Sequence, residues 1–179
     1  MKLNKIMMAA VVAFGMTSVA HAAVQDQGHG KITFNGAIID AACSISPESI
    51  DQTVELGQIS KVALKDSGTS TPRNFAIELE NCEFGEDEAN KVQVTFTGME
   101  ANGSNGLLGI TGTAKGAGVA IVDSSGKKVT LGEPTKAQEL QNGNNTLNFS
   151  AYLQGEGASG AAVVAGDFQA VADFTLAYN

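Results

Sequence analysis

From residue 168 to residue 178 every second residue is apolar: Phe168, Ala170, Ala172, Phe174, Leu176 and Tyr178. Side chains of a β-strand point alternately to its two faces, so this row can be buried together only on one face of an extended segment. After Tyr178 only Asn179 remains, so a further strand beside this one is not expected from downstream. The segment carries no proline, and no charge falls in the apolar row to blunt its flank. A long terminal strand of this kind is expected to be covered by something else.

Shorter segments of the same kind recur upstream. Residues 31–39, 53–56, 75–79, 91–96, 118–122, 127–131 and 146–153 alternate apolar and polar side chains, and they are closed by Gly, Asn, Asp or Pro. Turn signals such as Ser124-Ser125-Gly126 and Asn142-Gly143 lie between them. Short strands at this spacing, with almost no helical periodicity, predict an all-β sandwich in one domain. No internal repeat or linker divides the chain.

The start of the chain has a different character. Lys2 and Lys5 precede an apolar run over residues 6–19, followed by Ala20-His21-Ala22. A positive region, a short apolar core and a small-x-small site predict a secretory signal peptide over residues 1–22, cleaved after Ala22. A membrane anchor or buried helix is the alternative, and the run is short of the ~20 apolar residues that a bilayer span needs. Cleavage would leave a chain of roughly 157 residues and take the formal charge from −8 to about −10, through loss of two lysines. Such an acidic chain, with no basic cluster, is poorly suited to nucleic acid, whose phosphates require Lys and Arg. The two cysteines, Cys43 and Cys82, survive cleavage and in an exported protein read as a disulfide.

Residues 23–30 have too little apolar content to pack by themselves. Beyond them, Ile32, Phe34, Gly36 and Ile38 share one face and Lys31, Thr33, Asn35 and Ala37 the other. Residues 23–38 thus read as an arm that is mobile until a partner orders it. Gly36 breaks the apolar row. It marks either a kink or a place where an opposing surface leaves no room for a side chain.

These residues resemble a known family, the pilins of the chaperone–usher pathway, and most closely the major rod subunits of P-type and type 1 pili. The likeness rests on Ile32-Thr33-Phe34-Asn35-Gly36 followed by Ala41-Ala42-Cys43, on residues 51–58, on Asn81-Cys82 and on the C-terminal strand. That strand has a glycine fourteenth from the end, Gly166, and a penultimate tyrosine, Tyr178. The resemblance implies an incomplete immunoglobulin-like sandwich lacking its last strand, with residues 39–179 as the pilin domain. It implies an acceptor groove walled by Gly166, Phe168, Ala170, Ala172, Phe174, Leu176 and Tyr178, and a donor strand built on Ile32, Phe34, Gly36 and Ile38. A periplasmic pilus chaperone would first fill the groove, and at an outer-membrane usher the arm of another subunit would replace it, a form of strand addition. The implied function is a structural subunit of a surface fimbria that supports adhesion, as a homopolymer exported through the periplasm. A minor adaptor pilin or a glycan-binding adhesin is the alternative.

Signs of other chemistry are weak. The only histidine beyond the leader is His29, in the polar arm, away from any set that general acid–base catalysis needs. The acidic residues Glu83, Glu86, Asp87 and Glu88 lack the ligand spacing of a calcium loop and read as a solvated turn. Residues 155–160 match a dinucleotide-binding pattern but open no amphipathic helix, so they read as a flexible loop. Asn102, Asn144 and Asn148 begin glycosylation triplets, to which no function attaches. The expectation is a non-enzyme without catalytic residues, cofactor or metal, and without nucleic acid or a small-molecule substrate as partner.

Overall fold

The computed structural model describes residues 27–85, 90–101, 106–157 and 162–179. The expected signal peptide and the first residues of the expected arm lie outside these, as do Glu86, Asp87, Glu88, Asn102 and residues 158–160. The chain divides into two units at the Ile38–Ile39 bond, and each is described by itself. No helix among the described residues is long and apolar enough to cross a membrane.

In the first unit, residues 27–38 carry no assigned secondary structure. The strand expected over 31–39 is therefore not formed. Backbone groups in a strand need a ladder partner, and none pairs with this segment among the described residues.

The second unit is built from strands in three sheets. The largest has five, in the order β1 (Ser44–Ile45), β2 (Arg73–Cys82), β8 (Gly143–Gly155), β6 (Ala117–Asp123) and β4 (Leu108–Gly109). A second has the order β10 (Ala172–Tyr178), β3 (Lys91–Gly98) and β7 (Gln138–Glu139), and a third pairs β5 (Thr111–Gly112) with β9 (Phe168–Gln169). A one-turn helix, α1 (Pro47–Ile50), follows β1. All the ladders are antiparallel.

The core lies where the two larger sheets turn their apolar faces to each other. Ile77 and Leu79 of β2, Leu147 and Phe149 of β8 and Ile121 of β6 are buried with Val92, Val94 and Phe96 of β3. Phe149 stands edge-on to Phe96 at 5.0 Å between ring centroids and stacks on Phe75 at 5.6 Å, which adds ring geometry to area burial. Cys43 and Cys82 form a disulfide that closes a separation of 39 residues and is buried in the same cluster.

Four of the expected strands, those read at 75–79, 91–96, 118–122 and 146–153, form as β2, β3, β6 and β8. Three other readings are corrected. Residues 127–131 make one bridge, Val122 to Lys128, and then leave β6 for the other sheet. There Gly132 N donates to Phe96 O at 2.8 Å and Thr135 N to Val94 O at 2.9 Å. A segment crossing between sheets cannot sustain a ladder with either. Residues 53–56 lie in no strand, and the C-terminal strand is two: β9 on β5 and β10 on β3, with Ala170 and Val171 between.

Candidate functional site

β10 pairs with β3 through seven residues, from Ala172 opposite Gly98 to Tyr178 opposite Val92. On its other side β10 has no partner strand among the described residues. Its alternation survives in three dimensions: Ala172, Phe174, Leu176 and Tyr178 are half-buried, and Asp173, Thr175 and Ala177 are exposed. In the adjacent β3 the same alternation drives Val92, Val94 and Phe96 down to 3% exposure or less. The two strands have equivalent apolar faces, so the contrast reflects cover. β3 lies between two strands, whereas β10 stands at an open edge.

Beside that edge runs a groove of about 950 Å³. One wall is the C-terminal segment, from Gly166 through Phe168, Ala170 and Ala172 to Phe174. The opposite wall is the segment from Asp51 to Ile59, and Phe75, Phe96, Leu108, Val119 and Leu153 lie among the floor residues. Phe96 ties wall to floor, because its ring lies 6.4 Å from both Phe75 and Phe174. Leu176 and Tyr178 do not line the groove; they pack on the cluster that contains the disulfide. Burial there raises the Tyr178 phenol above its ordinary pKa by disfavouring the charged form.

Gly166 is held by close packing. A Cβ built there would overlap the Thr113 hydroxyl and the Thr113–Ala114 backbone. The neighbouring bonds fix this approach: Asp167 N donates to Thr113 Oγ1 at 3.0 Å, and Thr113 N and Ala114 N donate to Asp167 O at 3.0 and 3.1 Å. Gly166 therefore lets the start of the groove wall lie against the turn before β6.

The wall from Asp51 to Ile59 was not legible as a site in the sequence. It belongs to no ladder, although Val54, Leu56 and Ile59 are half-buried along the groove and Gln52 Nε2 donates to Ala76 O at 3.1 Å. The alternation at Val54 and Leu56 was the available signal. The left-handed Gly57, at φ +78°, then shifts its phase before Ile59. Neither this segment nor the outer side of β10 has a ladder partner among the described residues.

In the arm, Ile32 is 78% exposed and Phe34 88%, and Ile38 is fully exposed. No neighbour lies within 4 Å of where a Gly36 Cβ would stand. The reason for a glycine there is thus not found within this unit.

The geometry is of a kind that can take up an extended strand. Among the described residues, no group of three or more His, Cys, Asp or Glu side chains is placed to hold a metal ion.

Comparison with known proteins gives the same picture. Residues 32–179 match the family described as Fimbrial protein. The Fimbria A protein of Serratia marcescens is 60% identical over the whole of both chains, and the Major MR/P fimbria protein of Proteus mirabilis (strain HI4320) is 53% identical, again over all of both. Among solved structures, one of a chaperone–usher pilus is 38% identical with a TM-score of 0.77, covering 86% of this chain and 97% of that one. The crystal structure of the P pilus rod subunit PapA is 37% identical with a TM-score of 0.70, covering 78% of this chain and all of the other.

Proposed function

Since the chain belongs to the fimbrial protein family and is a structural pilin subunit, with that family's incomplete immunoglobulin-like sandwich, we propose that it polymerises into a surface fimbria by donor-strand exchange. Residues 23–38 act as the donor arm, and the groove between β10 and the segment from Asp51 to Ile59 is the acceptor. The observation that carries this reading is the half-burial of Ala172, Phe174, Leu176 and Tyr178 on an edge without a partner strand among the described residues, beside a groove whose floor includes Phe75, Phe96, Leu108, Val119 and Leu153.

Ile32, Phe34 and Ile38 supply the matching side chains. Seven residues in β conformation span about 20–24 Å, enough to run along several residues of the wall. Burying each of the three would contribute about 1.5–3 kcal/mol before ordering costs. Each new backbone hydrogen bond adds about 1 kcal/mol net, and a dry unpaired edge would be worse. Folding free energy withheld while the groove is empty is released at assembly, so polymerisation needs no nucleotide.

Before assembly, a periplasmic chaperone occupies the groove, and an outer-membrane usher is where the arm of another subunit replaces it. Residues 1–22 direct export and are removed after Ala22. The disulfide of Cys43 and Cys82 suits the oxidising compartment that this route crosses.

The test uses protein sheared from the cell surface, compared boiled and unboiled on a denaturing gel, with negative-stain microscopy. A ladder that collapses to monomer on heating, together with filaments, is the expected result. A single monomer band in both lanes without filaments overturns the reading and leaves the adaptor and glycan-binding alternatives.

A further inference from the structure

We propose that Asn35-Gly36 is a site of spontaneous backbone modification, a succinimide-forming pair that disables the arm when it stays unpaired and is silenced when the arm is paired. The inference rests on the donor-arm reading for its consequence, but not for its chemistry.

Asn35 and Gly36 lie in a segment without secondary structure, and both are exposed. The Gly36 nitrogen is followed by a Cα without a side chain, and nothing lies within 4 Å of the Cβ position. No described residue therefore hinders the Gly36 amide nitrogen, once it gives its proton to solvent base, from attacking Asn35 Cγ. The new bond joins Gly36 N to Asn35 Cγ, the bond from Cγ to Nδ2 breaks, and Nδ2 leaves as ammonia. Water then opens the ring. Addition at Cγ restores the original backbone with an aspartate, and addition at the main-chain carbonyl gives isoaspartate, with the chain routed through Cβ and Cγ. The net change is an amide and water becoming a carboxylic acid and ammonia, with no oxidant or reductant.

Another Asn-Gly pair in the same chain provides an internal contrast. Asn142-Gly143 lies where β8 begins, and Asn142 Oδ1 accepts a hydrogen bond from Phe84 N at 2.9 Å. Its amide is held in place, and Gly143 is already paired opposite Cys82. Among the described residues no hydrogen bond restrains the Asn35 side chain in this way. Pairing of the arm in a groove would supply a restraint, by fixing the backbone extended and placing it in a ladder.

The consequence follows from strand periodicity. Ile32 and Phe34 precede the modified bond and Ile38 follows it. Isoaspartate inserts an extra backbone atom between them, so the two groups no longer fall in phase on one face. A carboxylate also appears at the polar face of the arm. The pair would thus limit how long an unassembled subunit stays competent, while a subunit in a filament is spared.

The full mature chain is incubated as monomer and, in parallel, as filament, in mildly alkaline buffer, and the Asn35 and Asn142 amides are followed by peptide mass mapping. The expected result is loss of the Asn35 amide in monomer, retention at Asn142, retention of both in filament, and loss of polymerisation as isoaspartate accumulates. The variant Asn35→Gln, whose longer side chain closes a ring poorly, is compared with its own unincubated sample and is expected to lose no polymerisation during the same incubation. Equal loss at Asn35 and Asn142 in monomer overturns the proposal, as does undiminished polymerisation by monomer converted to isoaspartate. A chain lacking residues 31–38 that still polymerises defeats the donor-arm reading separately, and leaves the amide chemistry as measured.

Discussion

At Gly166 a single methyl group would have to displace backbone as well as side chain, because Thr113 and Ala114 close on that position and Asp167 bonds to both. Gly166→Ala is therefore expected to destabilise the domain by about 1–3 kcal/mol, as overpacking does elsewhere, read from the urea midpoint of a groove-filled form. The disulfide acts within the core cluster. Replacing Cys43 and Cys82 by Ala should cost about 2–5 kcal/mol in the same measurement. Tyr178 gives a pH signature. Its folded pKa is raised above the ordinary value of 10.0. The neutral phenol is favoured in the folded state, so this contribution is fully present below the unfolded pKa and is lost as pH rises through the folded one. Tyr178→Phe is expected to flatten the fall in stability above pH 10, and unfolding curves of the two proteins that keep identical alkaline slopes would contradict it. The row Phe168 to Tyr178 was readable from residue order, because a period of two has one structural meaning. The tight contact at Gly166 was not, since Thr113 is distant in sequence.

Among the elements, the arm and residues 51–59 have no ladder partner among the described residues, and β10 is paired on one side only. β2, β3, β6 and β8 were legible because each has a neighbour that lets its alternation mature into a ladder. Residues 31–39 and 53–56 carry comparable alternation yet form no strand, for want of that neighbour. On the proposed mechanism, Phe34→Asp would place a charge in an apolar groove and should abolish filament formation while leaving the domain's melting unchanged. Gly36→Leu should slow assembly markedly. Polymerisation of Gly36→Leu at the normal rate, followed by light scattering, would return Gly36 to the simpler role of a kink. The two-residue strands β1, β4, β5 and β7 were beyond sequence reading. Each is defined by a partner elsewhere in the chain, and two residues hold no period.

At the scale of the whole molecule, the domain combines a finished core with an unfinished edge. Five-stranded and three-stranded sheets share buried residues from Ile77 to Phe149, and the disulfide is buried among them. The groove instead leaves β10 paired on one side only, above floor residues such as Phe96, Leu108 and Leu153 that are already buried. An empty groove should make the isolated monomer much less stable than the subunit within a fibre. Filaments should thus withstand denaturing detergent at room temperature and dissociate only on heating, as seen by gel. A synthetic peptide of residues 31–38 should raise the melting temperature of monomer, and an unchanged melt would count against groove filling. By itself the sequence determined the all-β class, the cysteine pair, the apolar faces of the main strands and, through family resemblance, the idea of a missing strand. Those features are local, because strand periodicity and turn residues are set within a few positions. Only the tertiary structure decided that the C-terminal segment divides between two sheets at Ala170 and Val171, and that residues 51–59 form the facing wall. It also decided that Leu176 and Tyr178 pack, half-buried, against the core cluster that holds the disulfide. Such assignments depend on which distant backbone edge lies alongside, and no periodicity within a segment encodes that.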